Sequence, residues 1–206
     1  MSENKFFVKA SGISSPGIKI RSFKDKLVNL NFIKDVEEMF LKKGLSSLNM
    51  MDLGCSSGFL VREFLNRGHL AIGLEDQNRL DDYSIWSDLF SKNLFHCDIR
   101  DDFSVLLGNS GNLFSCDLIT SWLVADSVQP HKLPLFFENI RKHLKVGGVF
   151  IGNISLAEKF PQNETLQDWE HRKLKHLYGF SFQEYPFDHA AYPLFTSFYF
   201  VLVRKF

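Results

Sequence analysis

Between Asn49 and Asp76 the chain reads NMMDLGCSSGFLVREFLNRGHLAIGLED. A short apolar run ends in an acid and small residues follow. Apolar residues then recur at helical spacing, and a second apolar run ends in two more acids. Short apolar runs bounded by turns read as strands buried on both faces. A helix between two such strands reads as a crossover joining parallel neighbours. That unit calls for an α/β sheet with helices on both sides.

The rest of the chain repeats the alternation. From Ser22 to Lys43, the residues Phe23, Leu27, Leu30, Ile33, Val36 and Phe40 fall at steps of three and four. They predict one helix, capped by Ser22 and stopped by Gly44. LNMMDLG predicts the first strand, GFLVREFLNRG a helix ended by Gly68, and LAIGLE the second strand. LFHCDIR and CDLITSWL predict the third and fourth. HKLPLFFENIRKHL reads as a helix with Pro134 in its first turn, where no backbone donor is missed. KVGGVFIGNIS gives a turn and a fifth strand, and TLQDWEHRKLKHLYG a further helix ended by Gly179. The tail FSFQEYPFDHAAYPLFTSFYFVLVRKF reads as two strands joined by a loop. The expected architecture is a doubly wound, Rossmann-like, mostly parallel sheet with an antiparallel C-terminal edge strand. A length of 206 residues suits one domain, 1–206. Residues 1–21, broken by Gly12, Pro16 and Gly17, are expected to form an arm or flap on a core of 22–206.

Lysine plus arginine and aspartate plus glutamate each number 24, so the net charge is zero and no nucleic-acid partner is expected. No apolar run is long enough to span a membrane, and MSENKFFVKASG lacks the apolar segment of a secretion signal. The three cysteines, Cys55, Cys97 and Cys116, show no metal-type spacing and fit a reducing cytoplasm as buried thiols. His171 and His176 are five apart and do not share a helix face, so no metal is expected.

In a doubly wound sheet, ligands sit beyond the carboxyl ends of the strands. Gly54 and Gly58 let the backbone after the first strand approach a ligand closely, with Cys55, Ser56 and Ser57 small between them. Glu75 closes the second strand, where an acid is placed to accept two ribose hydroxyls. A dinucleotide site counted from Gly54 needs glycine at 56 and 59, and the chain has Ser56 and Phe59. Asp52 would also face a pyrophosphate badly, whereas it suits a cationic ligand. S-adenosylmethionine carries an ammonium and a sulfonium and no phosphate.

On these residues the chain resembles the class I S-adenosylmethionine-dependent methyltransferases. MDLGCSSG stands for the first motif, GLED for the second, FHCDI for the third, FSCDLITSWLVADSV for the fourth and HLKVGGVFIGNIS for the fifth strand. LFHCDIRDDF and LPLFFENIRKHLKVGGVFIGNIS look similar to small bacterial methyltransferases of sugar and surface-polysaccharide biosynthesis. The resemblance implies that Asp52 orients the turn and helps hold the methionine amino group. Gly54, Cys55 and Ser56 line the methionyl part through backbone atoms, with Gly58 in the same cofactor-binding turn, and Glu75 takes the ribose hydroxyls with Asp76 in the same motif. Asp98 accepts the adenine amine with Cys97 and Ile99 beside the ring, and Ser121 and Trp122 face the reacting end. The plainer alternative makes the acids solvated strand ends, and Trp122 serves nearly as well in a core.

Sequences of this class often carry an acid after that tryptophan and Glu-His a few residues on. Here Leu123 and Asp126-Ser127 stand instead, so a general base or metal role does not carry over. Asp126, His131 and His189 are the candidate bases for a hydroxyl acceptor, with a solvated loop position as the plainer reading of either histidine. Tyr185 and Tyr192, in or beside the loop between the last two strands, are candidates for the acceptor wall. The sequence thus predicts methyl transfer to a small molecule, a sugar hydroxyl among the candidates. Two alternatives stay open: a non-catalytic protein that binds the same cofactor, and a methyltransferase acting on protein or RNA.

Overall fold

The computed structural model describes residues 30–56, 58–76, 92–101, 103, 114–122, 124, 128–155, 180–183 and 197–205. Residues 1–29, the polar stretch after Asp76, and the predicted helix before Gly179 lie outside the described residues.

Three α-helices are described. Helix α1 spans Leu30–Leu41, α2 Phe59–Asn66 and α3 Leu133–His143, the last preceded by a 3-10 turn at Pro130–Lys132. The α1 periodicity works as the sequence predicts: Ile33, Val36 and Phe40 are fully buried. Gly44 ends the helix at φ 81°, and the amides of Gly44 and Leu45 return to the carbonyls of Leu41 and Phe40. Pro134 lies in the first turn of α3. At the other end of α3, the Arg204 guanidinium donates to the carbonyls of Arg141 and Leu144, supplying donors that the helix itself lacks.

The strands are β1 (Asn49–Leu53), β2 (Leu70–Glu75), β3 (Leu94–His96), β4 (Cys116–Ser121), β5 (Leu144–Ser155), β6 (Phe180–Gln183) and β7 (Ser197–Arg204). They form one sheet in the order β3-β2-β1-β4-β5-β7-β6. The first five pair in parallel, and β7 pairs antiparallel with both β5 and β6. The antiparallel element foreseen from the tail is therefore present, with β7 placed between β5 and β6 and β6 at the edge. The expected turn at KVGG is instead an irregularity within β5. Leu144 pairs with Cys116, the register shifts, and pairing resumes at Leu118 with Val149, while Gly147 takes φ 78°.

Both faces of the sheet are buried, which explains the continuous apolar runs. Side-chain alternation divides them. Met51, Leu53, Ile119 and Phe150 join Phe136, Phe137 and Ile140 of α3 in one cluster. Met50, Leu118, Val149 and Ile151 join α1 and α2 through Phe32, Val36, Phe40, Leu60 and Phe64 in the other. Phe150 meets Phe136 and Phe137 edge-on, each at 6.3 Å between centroids. Replacing Phe150 with alanine opens a cavity between α3 and the sheet. We expect Phe150→Ala to lower unfolding free energy by about 3–5 kcal/mol in urea titration.

Candidate functional site at the carboxyl edge of the sheet

Strands β1 to β4 run parallel, so the segments that follow them all emerge on one edge. From β1 the chain order proceeds outward to β2 and β3, whereas β4 and β5 lie on the other side of β1. The reversal leaves a crevice between the carboxyl ends of β1 and β4, where ligands bind in sheets of this kind.

The turn after β1 is built from left-handed backbone. Gly54 has φ 66° and Gly58 φ 75°. Ser56, at φ 54°, is the non-glycine residue with positive φ among the described residues. A serine held there is strained by roughly 1–2 kcal/mol, so something must fix it. The Ser56 amide donates to Glu75 Oε2 at 2.6 Å, and the Asp76 amide donates to Glu75 Oε1 at 3.1 Å. Glu75 is only 5% exposed. A buried carboxylate requires such donors, and two amides leave each of its oxygens able to accept once more. The amides of Gly54 and Cys55 both donate to the Leu74 carbonyl, at 2.7 and 3.0 Å. The turn thus rests directly on β2. Gly73 makes this possible, since a Cβ there would sit 2.6 Å from the Cys55 sulfur.

At the crevice itself, Asp52 is buried and accepts from Thr120 Oγ1 at 2.8 Å, a bond that crosses from β4 to β1. Ser121, the next residue, is fully buried, and its hydroxyl has no hydrogen-bond partner among the described residues. Unmade hydrogen bonds of this kind cost about 1–3 kcal/mol. Val124 reaches back over the turn: a Cβ on Gly54 would lie 2.4 Å from its Cγ2.

The outer rim carries an open charge cluster. Arg100 donates to Asp98 through Nε at 2.7 Å and Nη2 at 2.6 Å, and its own amide donates to Asp98 Oδ1 at 2.9 Å. The same guanidinium lies 3.6 Å from Asp76 Oδ2. Chiefly through its side-chain hydrogen bonds, Arg100 holds the Asp98 carboxyl below the usual carboxylate range, against an opposing effect of burial. Lys132 adds to the lowering from a distance and pairs with Asp101 at 2.9 Å.

The expected residues Asp52, Gly54, Cys55, Ser56, Gly58, Glu75, Asp76, Cys97, Asp98, Ile99, Ser121 and Trp122 therefore all fall at this one edge. They are not equivalent. Cys97 and Ile99 pack in the cluster beneath α3, and Trp122 packs under α1 with its ring edge-on to Phe32 at 5.3 Å. His131 is exposed on the 3-10 turn before α3. Asp126, His189, Leu123, Ser127, Tyr185 and Tyr192 lie outside the described residues. Thr120, Val124 and Arg100 escaped the sequence reading. Only Arg100 left a trace, as a cation two residues beyond an acid.

A separate cleft of about 300 Å³ lies at the amino ends of the strands, lined in part by Lys34, Glu37, Leu48, Arg67 and His69. Glu37 accepts from Arg67 Nη1 at 2.6 Å and lies 3.0 Å from His69 Nε2, while the Leu48 amide donates to His69 Nδ1 at 3.4 Å. Those partners assign the proton to Nε2 and tie α1 to the start of β2. Among the described residues no cluster of histidine, cysteine, aspartate and glutamate is arranged to hold a metal ion. No described helix is long and apolar enough to cross a membrane.

No family model matches the chain, and no curated protein matches it in sequence. Solved structures do match in fold. The magnesium protoporphyrin IX methyltransferase ChlM from Synechocystis, solved with bound S-adenosylmethionine, superposes with a TM-score of 0.61 at 12% identity, covering 98% of this chain and 90% of that one. TehB from Haemophilus influenzae gives 0.56 at 16% identity, covering 91% and 66%. The glycopeptide N-methyltransferase MtfA, complexed with S-adenosylhomocysteine, gives 0.56 at 14% identity, covering 83% and 89%. The fold is the α/β fold of these methyltransferases.

Two outcomes check the geometry. Gly54→Ala places a Cβ against Val124 in left-handed backbone, and we expect a loss of roughly 1–3 kcal/mol in urea titration. In Arg100→Gln, the Asp98 carboxyl loses its main stabilising donor. Its titration midpoint, followed by carboxyl-carbon NMR, should rise toward the ordinary aspartate value of about 4.

Proposed function

We propose that this protein binds S-adenosylmethionine at the carboxyl edge of its sheet and transfers the methyl group to a small-molecule acceptor. The observation that carries the reading is the content of the β1–β4 crevice. A buried carboxylate, Asp52, lies near the end of β1, and the buried hydroxyl of Ser121, at the end of the neighbouring β4, has no partner among the described residues. Glu75 stands one strand away with acceptor capacity to spare. Carboxylate acceptors so placed suit a cationic nucleoside and repel a diphosphate. The neighbours solved with S-adenosylmethionine or S-adenosylhomocysteine support the same reading by fold.

In this reading Asp52 faces the ligand's cationic end and Ser121 gains the hydrogen bond that it lacks. Gly54 and Cys55 admit the methionyl chain close to the backbone, and Glu75 accepts from the ribose diol. Asp98 takes the exocyclic amine at the rim. When bound, the cofactor supplies a methyl group on a sulfonium, which departs as a neutral thioether. The chain's part is then to align the acceptor with that methyl and keep water out, a positional effect that can supply much of the rate. A hydroxyl acceptor needs its proton taken, and Asp126, His131 and His189 are the candidate bases. A sugar hydroxyl is the acceptor class toward which the sequence resemblance points.

Isothermal titration with S-adenosylmethionine tests the binding half. We expect saturable binding of one equivalent, and no heat at millimolar ligand overturns the reading. Ser121→Ala sharpens the test. It removes a buried hydroxyl that has no partner among the described residues, so stability should hold or rise by about 1 kcal/mol while affinity falls several-fold. Methyl release in the presence of a panel of sugar and other small acceptors separates an enzyme from a protein that only binds.

A further inference from the structure

We infer that Arg100 is a positioning residue that makes Asp98 select a purine bearing a 6-amino group over one bearing a 6-oxo group. The inference rests on the nucleoside reading above and concerns how the rim reads the base.

A carboxylate has about four acceptor sites, two on each oxygen. At Asp98 three are filled by one residue. Arg100 N and Nε both donate to Oδ1, and Arg100 Nη2 donates to Oδ2. Oδ1 is saturated, and Oδ2 keeps one site. The fork also fixes the plane of the carboxylate, because a guanidinium holds both oxygens in its own plane. Arg100 is anchored in turn, with Asp76 Oδ2 3.6 Å away on the neighbouring strand end. The result is a carboxylate in a fixed orientation with room for a single further donor.

A single acceptor site has a simple selectivity. It accepts an N–H from an exocyclic amine, and it repels the carbonyl oxygen that a 6-oxo purine places at the same point. Lone pair against lone pair leaves the carboxylate facing an unpaired acceptor, a mismatch by which hydrogen-bonding groups discriminate between ligands. Without Arg100, Asp98 could rotate and offer its second oxygen. Water could then bridge to either base, and the preference would fade.

Arg100 is 42% exposed at its side chain and belongs to neither core cluster, so its replacement leaves the fold standing. The test is titration of the wild type, Arg100→Gln and Arg100→Lys with S-adenosylhomocysteine and with its deaminated counterpart S-inosylhomocysteine. For the wild type we expect tighter binding of the adenine form by roughly tenfold or more, about 1.4 kcal/mol. In Arg100→Gln the two affinities should converge to within about threefold. Arg100→Lys keeps the charge but loses the fork, so it should restore affinity for the adenine form more than it restores selectivity. A wild type that binds neither ligand overturns the nucleoside reading and this inference with it. A wild type that prefers the adenine form, with a glutamine variant that keeps the same ratio, overturns the role of Arg100 alone.

Discussion

A carboxylate taken out of water must be hydrogen-bonded, and at this sheet edge that requirement organises the turn beside it. Glu75 is buried at the end of β2, and its oxygens are met by the amides of Ser56 and Asp76. The first of these bonds holds Ser56 in a backbone conformation that serine disfavours. Once Ser56 is fixed there, the Gly54–Gly58 turn lies against β2, and α2 starts from Gly58. The acid that a ligand would use is thus also the acid that shapes the cradle. On the proposed reading, binding chemistry and local folding share the Glu75 side chain, so substitutions there cannot separate them, whereas those at Ser121 can.

The sheet supplies the second constraint. Four parallel strands bring the residues after β1, β2, β3 and β4 to one edge, although they span seventy positions of sequence, from Asp52 to Trp122. The reversal of order between β1 and β4 opens that edge where Asp52 and Thr120 meet. Two layers of helices then make the sheet interior dry, which strengthens the interactions of the buried Asp52 and Glu75 at its edge.

Much of this was legible in the sequence because burial on both faces leaves a plain mark. MMDL and LAIGLE are apolar runs closed by acids, and the strands end at or within one residue of those acids. The spacing of Ile33, Val36 and Phe40 likewise announced the inner face of α1. Other features left no periodic signal. The register shift in β5 depends on how Gly147 and Gly148 meet Cys116 across a strand pair, and KVGG alone reads as a turn. Trp122 sits at the end of a strand, where pocket and core are both open to it, and its packing edge-on to Phe32 comes from a helix that local periodicity does not link to it. The Arg100 fork arises because the chain bends after β3, a local event that neither helical nor strand periodicity records. Val124 over Gly54 is a contact between segments seventy residues apart, invisible to any local rule.

The placement of β7 bears on how the chain matures. During synthesis, β1 to β5 emerge in an order that lets each parallel neighbour dock as its crossover completes. β6 follows, yet among the described strands it touches only β7, which is made later and inserts between it and β5. Until Ser197–Arg204 leaves the ribosome, β5 has no strand on that flank and β6 no partner among the described strands. The nascent protein therefore passes through a stage with an exposed ladder, and a chain halted near residue 183 would present that flank to any strand able to join it.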